Sequence, residues 1–146
     1  TTKEKNSPIR EKSFALAIRM VNLSKYLVVE KHEFVLSKQI LKSGTSPGAN
    51  VREAQNAESD SDFVHKMAIA QKETAETIYW LDLLHATDYL TLAEYNSLAN
   101  DAEEVLKMIR SAVLTKKRKM AIKASTIILV LLFTGYLFAG LLPQQG

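Results

Sequence analysis

Cysteine is absent from the 146 residues of this sequence. Disulfides, thiolate nucleophiles and cysteine-ligated metal sites are therefore excluded, and a reducing cytosol is compatible with the composition. The three histidines, His32, His65 and His85, are scattered, and none lies at metal-ligand spacing from another. We therefore predict neither a metal site nor a bound cofactor.

Signatures of catalysis are missing as well. The sequence has no Glu-x-x-His pair of the kind that di-iron bundles use. The segment Gly44–Gly48 lacks the closing Lys-Ser/Thr of a phosphate-binding loop. Glu73 and Glu76 could form a carboxylate pair, but a solvated helix face is the simpler interpretation of two acids three residues apart. We predict that the protein is not an enzyme.

Positive charge is unevenly distributed along the chain. Residues 1–114 carry a net charge of −2, whereas Lys116, Lys117, Arg118, Lys119 and Lys123 follow without any acidic residue after them. The alkaline pI of about 9.1 thus reflects the C-terminal part. Bulk charge gives no support for nucleic-acid binding by the first part, although a local basic face remains possible there.

The sequence is organised around a run of small side chains. Good helix formers flank Ser43–Asn50, which consists of small residues and Pro47. Each glycine costs about 1 kcal/mol relative to alanine in a helix, and an interior proline roughly 3 kcal/mol. Either this run is a loop between two short helices, or it is one helix stripped of side chains so that a neighbour can approach closely.

Apolar periodicity predicts four helices. The predicted stripe of the first helix is Phe14, Ala17, Ile18, Val21, Tyr26, Leu27 and Val28. From Glu33 we expect a second helix that buries Phe34, Leu36, Ile40, Leu41, Ala49, Val51 and Ala54. A heptad-like seam defines the third helix: Phe63, Met67, Ala70, Thr74, Thr77, Leu81 and Leu84. A capping box at Thr91–Glu94 opens the fourth, with Leu92, Tyr95, Leu98, Ala102, Val105, Ile109 and Val113 on its apolar face.

Short connections between four such helices predict an all-α, up-down-up-down four-helix bundle. We assign residues 1–115 to the bundle, 116–123 to a basic linker and 124–142 to an apolar C-terminal segment.

The string from Phe34 to Ala54 resembles the signature of the bacterial 23S rRNA intervening-sequence proteins, a family that includes the accessory variability determinant of diversity-generating retroelements. The match continues through Asp62-Phe63 and on to Tyr79-Trp80-Leu81. The resemblance implies a continuous second helix, and Pro47, at a position often aliphatic in the family, predicts a kink in it.

Within this motif we expect the small residues to allow tight helix packing, and the polar ones to hydrogen-bond across the helix crossing and satisfy the kinked backbone rather than bind a ligand. They are Ser43, Gly44, Thr45, Ser46, Gly48 and Asn50. The resemblance also implies a homo-oligomer, a ring-like pentamer, which presents a basic surface to RNA or DNA and to a reverse transcriptase. A ring would repeat the modest basic stripe of one protomer in every copy and so give a dense array of positive charge. The predicted nucleic-acid contacts are Lys38, Lys42 and Arg52.

The apolar segment from residue 124 to 142 contains no charge over nineteen residues. As a helix it would span about 28 Å, close to the thickness of a bilayer core. The basic run before it would keep the bundle in the cytoplasm by the positive-inside rule. This pattern predicts a transmembrane tail anchor in the inner membrane.

Other interpretations of this segment remain open. It could pack as a fifth apolar helix in an oligomer core. It could be a read-through segment, because its layout matches a secretory signal peptide in the wrong place. It could also be partly disordered, because Gly135, Tyr136 and Gly140 lower helix propensity.

Two functional classes follow. The first is a non-enzymatic, homo-oligomeric adaptor that binds nucleic acid or a nucleic-acid enzyme. The second is a membrane-tethered scaffold or protein-interaction module anchored by the apolar segment.

Overall fold

A computed structural model describes residues 7–141 of the chain, with side chains for residues 7–139. It contains four α-helices: α1 (Pro8–Val29), α2 (Leu36–Gln55), α3 (Asp60–Ala86) and α4 (Leu92–Leu141). Each helix packs against the next, and α4 also packs against α1. The predicted all-α four-helix bundle with an apolar helical tail is therefore confirmed. The predictions for residues 1–6 and for Leu142 lie outside the described residues.

The run of small side chains is helical and lets α1 approach α2 closely. A Cβ atom on Gly44 would lie 2.5 Å from Met20 Cβ, and one on Gly48 would lie 3.2 Å from the Ser13 carbonyl oxygen. Both glycines are buried, as is Pro47 inside α2. Of the two interpretations of this stretch, the closely approached helix is therefore correct, because a side chain at Gly44 would clash with Met20 and one at Gly48 would crowd the Ser13 backbone.

The third and fourth helices follow their sequence patterns. The buried residues of α3 are Met67, Ala70, Thr74, Thr77, Leu81 and Leu84. Ser59 caps α3 by accepting a hydrogen bond of 3.0 Å from the Asp62 amide. The predicted capping box of α4 is present, because the Thr91 amide donates to Glu94 Oε2 at 2.8 Å and the Glu94 amide to Thr91 Oγ1 at 3.3 Å. Leu92, predicted for the apolar face of α4, is 61% exposed.

The predicted face of the first helix is wrong in part, although Leu27 is buried as predicted. Phe14 and Ile18 are exposed, and the buried side of α1 consists of Ser13, Leu16, Met20, Leu23, Ser24 and Leu27. This helix carries apolar residues on two sides, so periodicity alone could not tell which side faces the core. The small Ser13 and Ser24 lie inside because α1 packs tightly on α2, where Ser24 Oγ donates to the Ser37 carbonyl at 3.0 Å.

The start of the second helix is corrected by three residues. Glu33 precedes α2 instead of opening it, and its buried carboxylate accepts hydrogen bonds from the amides of Val35 at 2.9 Å and Ser37 at 2.6 Å. Among the residues predicted to be buried, Phe34, Leu41 and Ala49 are exposed. A carboxylate that binds the free amides at a helix start replaces the hydrogen bonds that the first turn lacks.

Helix α4 continues without a break through residues 116–123 and into the apolar segment. Lys116 still contacts the bundle, since its Nζ donates to Asp60 Oδ1 at 2.8 Å. From Ala121 to Ala139 every side chain is exposed. The bundle core therefore ends near Lys116, and the rest of α4 projects beyond it.

Candidate functional site

The candidate nucleic-acid residues lie in one row on the outer surface of α2. Lys38, Lys42 and Arg52 are all exposed, as is Ala49. The positions 38, 42, 45, 49 and 52 recur at steps of four and three residues, which places them on one side of a helix. The row extends over about 21 Å from Lys38 to Arg52 at the usual rise per residue. The structure thus brings the three predicted cations onto one face.

No acidic side chain neutralises these cations among the residues with described side chains. The ion pairs there are Lys12–Glu104, Arg19–Asp101, Lys66–Glu53 and Lys116–Asp60. The guanidinium of Arg52 instead lies 5.0 Å from the centre of the Phe14 ring. A cation over an aromatic face keeps its charge available to an anion on its outer side.

Beside the cations runs an apolar groove between α1 and α2. It has a volume of about 460 Å³, and its lining includes Phe14, Ile18, Gly48 and Arg52 but no acidic residue. Phe14 is 50% exposed and Ile18 48% exposed. Sequence reasoning assigned both of them to the core, so it missed this surface. The two-sided distribution of apolar residues along α1 was the available signal.

The polar residues of the small-residue motif bond within α2. Thr45 Oγ1 donates to the Leu41 carbonyl at 2.7 Å, and Asn50 Nδ2 donates to the Ser46 carbonyl at 3.0 Å. We expected hydrogen bonds across the crossing of two helices, and these bonds do not cross it. Ser43 Oγ is buried without a hydrogen-bond partner among the described residues. Ser43 thus contributes a small buried side chain to α2 rather than a polar link.

A polar network joins the end of α3 to the start of α4. Tyr95 Oη donates to Asp82 Oδ1 at 2.7 Å, and the Tyr95 ring stacks on His85 with centroids 4.8 Å apart. The hydrogen bond to Asp82 raises the pKa of Tyr95 above its usual value, with burial adding to the effect. His85 Nδ1 lies 3.0 Å from the Leu90 carbonyl oxygen. These contacts join residues of α3 to Leu90 and Tyr95, so the network holds the α3–α4 connection together.

Within residues 7–141, no three His, Cys, Asp or Glu side chains come together in a way that could hold a metal ion. Glu76 accepts a hydrogen bond of 3.1 Å from the Trp80 indole, and it lies on the exposed side of α3. The prediction that the protein is not an enzyme stays a prediction.

Comparison with known proteins shows which family the residues of the bundle resemble. The model of the family described as 23S rRNA-intervening sequence protein matches residues 5–111. No curated protein matches the chain. A crystal structure of a protein of unknown function from the S23 ribosomal protein family of Bacteroides thetaiotaomicron is similar to this chain, with 52% sequence identity and a TM-score of 0.71. The alignment covers 72% of this chain and 94% of that one.

The matched residues contain both the small-residue motif and the row of cations, and they end before the basic run at residues 116–119. The similarity therefore gives no information about the apolar segment. The chain belongs to the 23S rRNA-intervening sequence protein family.

Proposed function

We propose that this protein is a non-enzymatic, homo-oligomeric adaptor that binds nucleic acid, either directly as RNA or DNA or through a nucleic-acid enzyme such as a reverse transcriptase. The observation that carries the proposal is the row of Lys38, Lys42 and Arg52 on one exposed face, without an acidic partner among the described side chains. Cations held in a line suit successive phosphates of a nucleic-acid backbone.

The proposed homo-oligomer, a pentamer by family resemblance, is supported by the groove next to this row. Phe14 and Ile18 remain half exposed there, and Leu41 is 38% exposed. Contiguous exposed apolar side chains are typical of protein–protein contacts. A ring of copies would cover such a patch and repeat the basic row around its axis, which strengthens the electrostatic attraction to phosphates.

The test is the charge-reversal variant Lys38→Glu/Lys42→Glu/Arg52→Glu, assayed with a defined duplex RNA and a defined single strand over a range of salt. Loss of three phosphate contacts should reduce the slope of log affinity against log salt by about 2 to 3. The matched control is Lys72→Glu/Lys107→Glu/Arg110→Glu, because these residues are also exposed and the net charge change is the same. Equal losses in both variants, or none in either, would contradict direct nucleic-acid binding through this row.

Oligomer mass is measured in the same experiment. Sedimentation of the full chain in detergent, with the detergent contribution matched out, should give a multiple of the 16.3 kDa protomer. Ile18→Glu, which places a charge in the groove without touching the core, should shift the mass toward one protomer. A monomeric wild type would contradict the oligomer and leave the nucleic-acid contact to be judged by the slope alone.

A second function is favoured by the apolar segment. We propose that it tethers the protein to a membrane as a scaffold or interaction module, with the bundle in the cytoplasm and the segment in the inner membrane. Helix α4 contains a window long and apolar enough to cross a bilayer, with mean hydropathy 1.9, and none of that window is buried. If the full chain leaves membranes on carbonate washing, the tether is wrong; retention until detergent is added supports it.

A further inference from the structure

The two ends of the bundle differ in how they meet the apolar segment. The tail end, defined here as the α2–α3 turn (residues 56–59) and the first turn of α3, lies beside α4 at Lys116. The Lys116 ammonium bonds Asp60 at 2.8 Å and lies 4.8 Å from the centre of the Phe63 ring. The opposite end carries the α1–α2 and α3–α4 connections. From Ser61 to Thr87 along α3 is about 39 Å, so the two ends are far apart.

The tail end also reaches the last charged residue before the apolar segment. A recess of about 750 Å³ is lined by the α2–α3 turn together with Lys116 and Lys123. The pKa of Asp60 is lowered first by the hydrogen bond and charge of Lys116, and further by the charges of Lys123 and Lys119. Both observations place the turn at the level of the basic residues. No loop separates the bundle from the segment, because α4 is one uninterrupted helix there.

If the segment crosses a bilayer, the positions of the basic residues along α4 determine which layer of the membrane lies next to the bundle. The uncharged stretch begins at residue 124, and the seven helical steps from Lys116 to Lys123 rise about 10 Å. The polar layer on each side of a bilayer core is roughly 5 to 8 Å thick. The basic residues, and with them the α2–α3 turn, therefore coincide with the headgroup layer and its surface.

Charge selects the type of headgroup. Lys117, Arg118 and Lys119 are exposed and, at 100° per residue, project in different directions around α4. With Lys116 and Lys123 they outnumber the carboxylates of the tail end, Glu58, Asp60 and Asp62. Asp60 is already paired with Lys116. A surplus of cations at the surface of a cytoplasmic leaflet favours anionic lipids.

We propose that the tail end of the bundle sits on the headgroups of anionic phospholipids, so that α4 holds the bundle upright and the α2–α3 turn lies at the membrane surface. This proposal rests on the membrane-tethered function. It goes beyond it by naming the lipid class, the face of the bundle that contacts it and the face that points away.

The absence of cysteine makes the proposal directly measurable. Ser61→Cys labels the tail end and Thr87→Cys the opposite end, since both positions are exposed. Each full-length variant carries a fluorophore and is reconstituted into vesicles of phosphatidylcholine with or without one quarter phosphatidylglycerol. A small fraction of lipid with a nitroxide on its headgroup serves as quencher. Co-flotation with the vesicles is measured separately.

We expect quenching of the label at residue 61 and not at residue 87, with less quenching at 61 when phosphatidylglycerol is omitted. In the Ser61→Cys background, Lys117→Ala/Arg118→Ala/Lys119→Ala should reduce quenching at 61 to the level without phosphatidylglycerol. The matched control Lys72→Ala/Lys107→Ala/Arg110→Ala removes the same charge from exposed positions on the bundle and should leave it unchanged.

The proposal would be overturned by equal quenching at the two positions, or by quenching at residue 61 that does not depend on phosphatidylglycerol and the basic run. In either case, co-flotation would still support the tether. Failure to co-float would overturn the tether and this proposal together. If the basic-run variant instead loses binding to the duplex RNA used above and keeps its quenching, the basic run serves nucleic acid and the lipid proposal is wrong.

Discussion

The two halves of α4 differ in how their apolar residues are distributed and buried, although they form one helix. In the half that faces the bundle, Leu98, Ala102, Val105, Ile109 and Val113 are buried on one side and polar residues cover the other. In the half beyond Lys123, apolar residues occupy every side and all are exposed up to Ala139. A striped helix buries its stripe against protein, whereas an evenly apolar one has no polar side to turn toward water. The comparison shows that the apolar pattern of one continuous helix changes where its contact with the bundle ends.

The sharpest way to test this contrast is to place a lysine in each half. Ile109→Lys puts a charge at a fully buried position and should cost about 4 kcal/mol or more of unfolding free energy. Leu131→Lys changes a residue that is 64% exposed and should leave the bundle as stable as before. Fluorescence of the single Trp80 in detergent follows the bundle alone. Similar losses in the two variants would contradict the division of α4.

The same substitution at two glycines, one in the bundle and one in the apolar segment, gives the next largest difference. Gly44→Ala forces a methyl group against Met20, and overpacking of this kind costs about 1 to 3 kcal/mol. Gly135 has nothing within 4 Å of the added carbon, so Gly135→Ala should not lower the unfolding free energy of the bundle. Urea unfolding followed by Trp80 measures both. An unchanged Gly44→Ala variant would mean that α1 does not approach α2 as closely as described.

A smaller effect is expected at Glu33, and it depends on pH. Burial raises the pKa of Glu33, but the amides of Leu36, Ser37 and Val35 outweigh it and hold the pKa below its usual value. The carboxylate therefore stabilises the bundle at neutral pH, and this contribution disappears as the pH falls through the lowered pKa. Glu33→Gln should lose about 1 kcal/mol at pH 7.

The loss at Glu33 should shrink as the pH falls into the acid range. The control is Glu30→Gln, because Glu30 is exposed and should show little change at either pH. Thermal unfolding between pH 7 and pH 3 in detergent measures the difference. A loss at Glu33 that stays constant over this range would show that packing, not charge, is responsible.

The smallest effect concerns the ion pair that links α1 to α4. Lys12 Nζ and Glu104 Oε2 are 2.9 Å apart, and both side chains are about half exposed. Water and salt screen such pairs, so Lys12→Met should leave the melting temperature of the bundle unchanged within error. A clear drop in low salt that vanishes in high salt would show that this pair matters after all.

Prediction from sequence succeeded where one face of a helix was unambiguous. The seam of α3 and the capping box of α4 were both found, because repeated apolar spacing and a Thr-x-x-Glu pair each have one simple structural meaning. It failed on α1, where Phe14 and Leu16 are equally apolar but only Leu16 is buried. It also missed the capping role of Glu33, which depends on a connection whose path no local pattern specifies.

The candidate site was predictable in part. Lys38, Lys42 and Arg52 could be named from their place beside the motif, but their arrangement as an unpaired row depends on where the acidic residues of other helices lie. The apolar groove next to them was missed, because the apolar residues on this side of α1 were assigned to the core.

The sequence alone determined that the protein is all-helical, that a run of small residues lies between good helix formers and that an uncharged segment follows a basic run. These are local properties of composition and spacing. Only the tertiary structure decided which side of α1 faces inward, that the cations of α2 stand free of acids among the described side chains, and that no loop separates the bundle from the apolar segment. Those outcomes depend on how closely neighbouring helices approach, and the distance between two helices is set by both of them together.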